Sequence, residues 1–395
     1  YKGVMCSGCE KGYAMTGRFE CSECKYSPLA TFLRAFMFFV AAVFILVSVL
    51  LSLKGSAGSR SFLSISLKIL MNFFQVDVCI ARFKLKWPSL IIKLFDAQIN
   101  LAESTGFYLS SNCYYKDTDS KETFYMNLVI ATLLPCILVL CALLVWFCIK
   151  LVKNVENFKH KVVGSLIVLI FIVHPQVTKT LFSIFACEEV EGDLWISTDL
   201  SIRCWDSHHT MYARGLALPS IIVWVLFLPV LLIFAVFKRR KELGEPSTKY
   251  MVGFLFQGFR PSVFYWELCI FYRKLSIIVV AVFMNANVSN QAFMAFISLL
   301  ICYILQLKVR PFVALKLNIL EELSIFTSGI TVVFGHFIAS KEVGYATELV
   351  MFTVLVSVYS SYFIVLFKET AGFSLQSLLL KVKAFAWCFS AASRL

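Results

Sequence analysis

The chain has 395 residues, of which 59% are hydrophobic and 15% are charged, and its mean hydropathy is +0.79. A soluble protein of this length cannot bury so much apolar surface in one or two cores, so the composition excludes an ordinary soluble protein. The net charge of +13 does not indicate nucleic-acid binding, because the basic residues are scattered between apolar runs rather than clustered on a polar domain. We therefore expect an integral membrane protein whose main partner is the lipid bilayer.

Residues 1–28 contain two CxxC pairs, Cys6 with Cys9 and Cys21 with Cys24, just before the first long apolar run. Two such pairs either hold a tetrahedral Zn²⁺ or form disulfides in a module too small to have its own core. Disulfides are favoured because the gap of 11 residues between the pairs is shorter than zinc ribbons use, and the spacing implies no particular pairing. Because the chain starts inside this motif, we expect residues 1–28 to be the end of a longer extracellular region.

Residues 29–367 form the expected transmembrane domain. A helix needs about 20 apolar residues to cross roughly 30 Å of hydrocarbon, and continuous apolar runs indicate helices rather than a barrel. The sequence therefore predicts an all-α polytopic membrane protein with about nine transmembrane helices. The predicted spans are 29–53, 62–80, 125–149, 162–186, 216–237, 263–284, 291–307, 319–339 and 347–367.

Basic residues predict how these spans are oriented, because Lys and Arg are retained on the cytoplasmic side. From the third span onward they collect in alternate connections and in the tail 368–395, which is therefore predicted to be cytoplasmic, whereas the other connections hold Arg203, Arg214 and Lys341. If 62–80 also crosses, the N-terminus is extracellular. We favour this although the loop 81–124 is basic, because its stretch 83–95 mixes Lys with Trp and aliphatic residues, as segments lying in a membrane interface do.

Charged residues within the spans are candidate functional residues, because a charge in a bilayer is costly and usually faces a protein interior or a water path. Glu267, Arg273 and Lys274 lie in the sixth span and Asp77 lies in the second. Glu267 and Lys274 are two helical turns apart, so they share one face of the helix. These residues either take part in conduction or gating, or form structural ion pairs and anchor the segment by snorkelling to the headgroups.

Two acids, Glu321 and Glu322, open the eighth span directly after a basic connection. Acids at the start of a helix complement its dipole, which is the simpler interpretation. The alternative is a vestibule that attracts cations.

The connections between spans carry further candidates. Cys187 and Cys204 enclose 16 residues, a reasonable loop for a disulfide. Asn287 begins an N-glycosylation sequon, but its loop of six residues lies against the membrane, so we expect no glycan there. His208 and His209 have no further ligand spacing, so no metal is expected. No nucleophile–base set or nucleotide loop is present in the sequence, so we expect neither a cofactor nor an enzyme.

Several stretches resemble one family. Residues 1–13, Tyr-Lys-Gly-x2-Cys-x2-Cys-x2-Gly-Tyr, followed by Cys21-x2-Cys24, are similar to the ephrin-receptor-like or growth-factor-receptor-like repeats of large protist surface proteins. In those proteins the repeats lead into a multi-span region similar to transient-receptor-potential channels. Further similar stretches are 85–89, Leu-Lys-Trp-Pro-Ser, 199–204, Asp-Leu-Ser-Ile-Arg-Cys, and 250–274, which contains Gly-Phe-Arg-Pro and Tyr-Trp-Glu.

The resemblance implies a transient-receptor-potential-like ion channel or transporter of the plasma membrane or another surface membrane, coupled to a cysteine-rich ectodomain. The alternative is a membrane anchor, adhesion or scaffold protein that holds an extracellular assembly and conducts nothing. Extracellular or membrane protein partners are expected in either case. One feature departs from the family: the last two spans are joined by residues 340–346 alone, too few for a re-entrant pore helix and filter.

Overall fold

The computed structural model describes residues 59–83, 120–284, 286–339 and 344–392, with side chains to residue 370, together with strands β1 (Tyr13–Gly17) and β2 (Glu20–Glu23). It also describes a few single positions between 32 and 95. The predicted span 29–53 and the side chains of the cysteine module lie outside this described part, apart from helical residues at 32, 46, 49 and 50.

Nine helices occur in the described part, with a three-stranded antiparallel sheet between the third and the fourth. The helices are α1 (Ser59–Ala81), α2 (Ser120–Val152), α3 (Phe158–Ser183), α4 (Ser207–Lys238), α5 (Pro246–Phe256), α6 (Trp266–Phe283), α7 (Val288–Val309), α8 (Leu315–Ala339) and α9 (Tyr345–Ala392). The strands are β3 (Cys187–Val190), β4 (Asp193–Ile196) and β5 (Asp199–Arg203).

Seven of these helices, α1 to α4 and α7 to α9, are long and apolar enough to cross a membrane. They coincide with seven of the nine predicted spans, so a multi-pass membrane protein is confirmed. The predicted span 263–284 corresponds to α6, which has 18 residues and three charges and does not qualify by composition. The sequence placed no helix at α5, which precedes α6 and is separated from it by a short 3₁₀ turn.

Contacts between side chains give the directions of the helices. Lys68 of α1 meets Glu267 of α6, and seven residues further along both helices Lys274 meets Gln75, so α1 and α6 are parallel. Helix α9 is antiparallel to α1, because Asp77 meets Tyr359 whereas Phe74 meets Phe363. Helix α1 is the most deeply buried of the membrane-length helices, with 78% of its apolar window inside the protein.

The short connections divide between two ends of the bundle. At one end, which we call the basic end, the α5–α6 connection pairs with the α7–α8 connection: Arg260 N–H donates to Pro311 O at 2.8 Å and Val313 N–H to Gly258 O at 2.9 Å. Gly258 has φ +89°, which L-residues rarely adopt, and a Cβ there would lie 2.6 Å from Ile65 Cδ1. At the other end, which we call the sheet end, lie β3 to β5.

Two prolines shape α4. Leu218 and Leu228 donate five residues back, to Ala213 O and Val223 O, and each is followed by a proline. In each π-type turn the residue after the leucine would donate to the carbonyl five residues before it. That residue is a proline and has no N–H, so this carbonyl lacks a backbone donor. The carbonyl left by the second turn, Trp224 O, meets His174 Nε2 of α3 at 3.1 Å. A side chain of α3 thus satisfies the backbone of α4 within the membrane.

Several described residues of the stretch 83–95 pack against the bundle. Phe83, Leu85 and Phe95 are buried against the protein, whereas Ile92 is 45% exposed. Trp87 packs edge-on against Phe95 with ring centroids 5.0 Å apart. It also lies over Gly335 of α8, where a Cβ would collide with the Trp87 ring and come within 2.7 Å of Leu85 Cδ1. A glycine at this position therefore makes room for the segment.

Gly335→Ala tests this docking. We expect it to destabilise the protein by roughly 1–3 kcal/mol, because the methyl group overpacks the site and displaces Trp87. Thermal unfolding of the detergent-solubilised protein measures the effect. Gly329→Ala is the matched control on the same helix: open space surrounds that position, so stability should stay equal or rise by up to about 1 kcal/mol. Equal effects of the two substitutions would contradict the docking.

Candidate functional site

A polar stripe runs along one face of α1. Ser64, Lys68, Asn72 and Gln75 follow one another at spacings of four, four and three residues, which places them on one face of a helix. This face is turned towards α3, α5 and α6. A helix that carries such a stripe through hydrocarbon is stable only where neighbouring helices supply partners for the polar groups.

Lys68 is the first charge of the stripe. Its Nζ lies 2.8 Å from Glu267 Oε2 and donates to Phe254 O at 3.0 Å. The ammonium group also stands over the rings of Phe254 and Phe259, 5.1 and 4.8 Å from their centroids. The second oxygen of Glu267, Oε1, is buried without a hydrogen-bond donor. The pair therefore joins α1 to α6 inside the protein, surrounded by aromatic rings.

Arg273 turns away from α1 and meets α8 instead. Its Nη1 lies 2.7 Å from Glu321 Oε1, with both side chains buried. The contact is an ion pair rather than an aligned hydrogen bond, because neither Glu321 oxygen has a donor in line. Glu321 lies six residues inside α8, beyond its first turn, so the interpretation of this acid as a complement to the helix dipole is wrong. The adjacent Glu322 is partly exposed.

Lys274 completes the set of cations. Its Nζ donates to Asn72 Oδ1 and to Gln75 Oε1, each at 3.1 Å, and lies 5.6 Å from the centre of the Phe171 ring. Gln75 Nε2 in turn donates to Ile172 O of α3 at 3.0 Å. Lys274 differs from the other two cations, because no carboxylate of the described residues pairs with it within 4.0 Å.

Asp77 lies on another face of α1, towards α8 and α9. It accepts a short hydrogen bond from the Tyr359 hydroxyl and one from Ser328 Oγ at 3.3 Å. Thr331 Oγ1 lies 3.3 Å from the same tyrosine oxygen. Both α8 and α9 are therefore attached to α1 through this carboxylate.

The bundle thus buries three cations and three carboxyl groups in its described part. Lys68 is 7% exposed, and the other five are 5% exposed or less. Every member contacts a neighbouring helix, but only Lys68 and Arg273 among the cations meet a carboxylate directly. This arrangement places all six groups between helices, away from the surface of the bundle.

Two cavities lie between α1 and α3, and a third lies between α3, α4 and α6. The first has a volume of about 30 Å³ and is lined by Lys68, Asn72 and Lys274 among mostly apolar side chains. The second, of about 20 Å³, lies between Gln75 and Lys179, and the third, of about 10 Å³, lies beside His174. Neighbouring cavities share wall residues, so they form a row along the helices.

The other predicted site residues lie apart from this cluster. Cys187 and Cys204 form a disulfide at the sheet end, with Cα atoms 6.3 Å apart. His209 lies close to both sulfurs, but its Nδ1 accepts from Trp205 N–H and its Nε2 faces Ile184 O, so it serves the backbone. Asn287 caps α7 through a hydrogen bond from Asn290 N–H.

Of the N-terminal cysteines, Cys6, Cys9 and Cys24 lie outside the described residues, and Cys21 is described only as part of the backbone of β2.

Sequence reasoning missed Asn72, Tyr359 and His174. Asn72 was recognisable from the spacing of the polar stripe on α1. The tyrosine and the histidine carry no such signal, because an aromatic residue in an apolar span is usually ordinary packing.

Comparison with known proteins gives a limited result. A stretch of 172 residues, 40% of this chain, is 23% identical to cysteine repeat modular protein A of Toxoplasma gondii. The match covers 6% of that protein's length. No family model matches the chain, and no solved structure matches it. The cysteine-rich membrane protein expected from the sequence is compatible with this relative and with the apolar helices.

The Lys68–Glu267 pair yields a quantitative prediction. Lys68→Met or Glu267→Gln alone should cost about 3–5 kcal/mol, because each leaves a buried charge without its partner. The double variant should cost clearly less than the sum, and unfolding in detergent completes the double-mutant cycle.

The exposed pair Arg203–Asp193, with side chains 56% and 44% exposed, is the control for this cycle. Removing either partner there should change stability by at most about 1 kcal/mol. Additive effects at Lys68 and Glu267 would mean that the pair is not coupled.

The Cys187–Cys204 disulfide predicts a redox dependence of stability. It closes a separation of 17 residues, for which loop entropy predicts roughly 3 kcal/mol. Dithiothreitol should therefore lower the melting temperature of the wild type and leave the Cys187→Ser/Cys204→Ser variant unchanged. An unaffected wild type would show that the bond does not stabilise the sheet end.

Proposed function

We propose that this chain is the membrane-embedded part of a cysteine-rich surface protein, and that it anchors an extracellular assembly without conducting ions. In this proposal the basic end lies in the cytoplasm and the sheet end, with its disulfide, lies outside. The cysteine module 1–28 belongs to the region that the bundle holds at the membrane.

The observation that carries the proposal is the pairing of the intramembrane charges. Lys68 and Arg273 each meet a carboxylate of another helix, and all six buried charged groups are closed inside the bundle. Buried and paired charges fix which helices pack together. A conducting pathway would need such groups beside water.

Two further observations support an anchoring role. The relative from Toxoplasma gondii is named for its cysteine repeats, and this chain has two CxxC pairs ahead of its helices. The sheet also packs against two helices: Ile196 and Ile202 belong to one buried cluster with Tyr125 of α2 and Ala217 of α4. A sheet attached to two helices is a rigid platform for an extracellular domain.

A second candidate function is a transient-receptor-potential-like channel or transporter. The row of cavities between α1 and α3 favours it, because polar side chains from Lys68 to Lys179 line that row. The connection between the last two helices opposes a pore at that position. Helix α8 ends at Ala339 and α9 begins at Tyr345, which leaves no room for a pore helix.

Ion flux from liposomes tests the two functions against each other. Vesicles that contain the purified wild-type chain should release Na⁺, K⁺ and Cl⁻ no faster than protein-free vesicles. Glu267→Gln should lower the thermal stability of the protein and leave the flux at this background. Currents or fluxes in the wild type that disappear in Glu267→Gln, but persist in Glu242→Gln at the surface, would overturn the anchor and support the channel.

A further inference from the structure

The cavity between α1 and α3 that contains Lys274 and Asn72 has hydrogen-bond donors in its wall that lack acceptors. Lys274 Nζ has three N–H groups and uses two of them, on Asn72 Oδ1 and Gln75 Oε1. The amide nitrogen of Asn72 is buried and has no hydrogen-bond partner. Its orientation follows from the network, because Lys274 requires the amide oxygen on its own side. Both amide oxygens that face Lys274 therefore already accept a hydrogen bond from it, so the third N–H of Lys274 and the amide of Asn72 need another acceptor.

The ion pairs in the described part of the bundle also leave Lys274 without a directly paired anion. Lys68 is matched by Glu267 and Arg273 by Glu321, but Lys274 meets two neutral amides. It is 5% exposed, and Asn72 is 4% exposed. A buried cation without a directly paired anion is costly. A negative ion beside Lys274 would satisfy its third N–H, the free amide of Asn72 and the unmatched charge together.

We propose that this cavity binds one small monovalent anion of the halide class, held by Lys274 and Asn72. Ser64, Lys68 and Gln75 also line it, and the rest of the wall is apolar: Leu67, Met71, Val168, Phe171, Ile172 and Phe254. Such walls suit a singly charged, weakly hydrated ion better than a phosphate, whose dehydration in an apolar cavity costs far more.

The depth of the site excludes a lipid headgroup as the occupant. Asn72 lies 13 residues from Ser59 and nine from Ala81, about 20 Å and about 14 Å along α1 at 1.5 Å per residue. Headgroups lie at the two surfaces of a hydrocarbon layer roughly 30 Å thick. The cavity is therefore near the middle of that layer, where a small ion fits and a headgroup does not reach.

Melting temperatures in chloride and in gluconate, at equal ionic strength and pH, test the site. The wild type should melt at a temperature about 2 °C higher in chloride, with a saturable dependence that bromide reproduces. In Asn72→Asp a carboxylate replaces the ion beside Lys274, so this variant should melt at the same temperature in both salts. Asn154→Asp, in the exposed α2–α3 connection, is the matched control and should keep the wild-type response.

Equal melting temperatures of the wild type in the two salts would overturn the proposal, and so would an unchanged chloride response in Asn72→Asp. If that variant does not fold, ³⁵Cl NMR of the wild type is the deciding measurement. Broadening of the chloride line that falls saturably as bromide is added supports the site, and a chloride line without such broadening overturns the proposal. Neither result depends on ion flux, so this test is separate from that of the anchoring function.

Discussion

Charge inside hydrocarbon is the constraint on which this architecture depends. Helix α1 carries Lys68 and Asp77 and would be a poor membrane helix alone, because each charge costs several kcal/mol at the centre of a bilayer. The structure places both groups against neighbouring helices, Lys68 against α6 and Asp77 against α8 and α9. Pairing therefore decides which helices surround α1 and in which register.

Helix α6 depends on the same constraint. Its charges face two directions, because Glu267 and Lys274 are two turns apart and face α1, whereas Arg273 faces α8. One 18-residue helix thus joins the two most buried helices of the bundle. Apolar packing follows this arrangement: Val76 and Ile80 of α1, Ile277 of α6 and Val332 of α8 share one buried cluster.

Much of this fold could be predicted from apolar runs. Hydropathy located the seven membrane-length helices of the described residues, and the seven-residue spacing of Glu267 and Lys274 predicted their common face. The partners could not be predicted, because a span that contains Asp77 gives no sign of which helix will supply Tyr359. Glu321 was assigned to the helix dipole from its position in the sequence. Its real role depends on Arg273, 48 residues earlier, which only the tertiary structure brings close.

The local breaks of helix geometry were also beyond sequence reasoning. Prolines in α4 predict a disturbed helix, but not that His174 would take the carbonyl freed near Pro229. The sequence predicted that Trp87 and its neighbours lie in the membrane interface, but not that the small surface of Gly335 would let Trp87 and Leu85 pack on α8. Both cases depend on how closely two distant segments approach each other.

A charge swap between α6 and α8 tests the central claim most directly. Arg273→Glu and Glu321→Arg, made separately, each place two like charges together in the membrane, and we expect neither to yield a monodisperse protein in size-exclusion chromatography. The double variant should recover a substantial share of the wild-type monodisperse peak, because it restores an ion pair with reversed polarity. Single variants that behave like the wild type, or a double variant no better than the singles, would contradict the claim that charge pairing holds this bundle together.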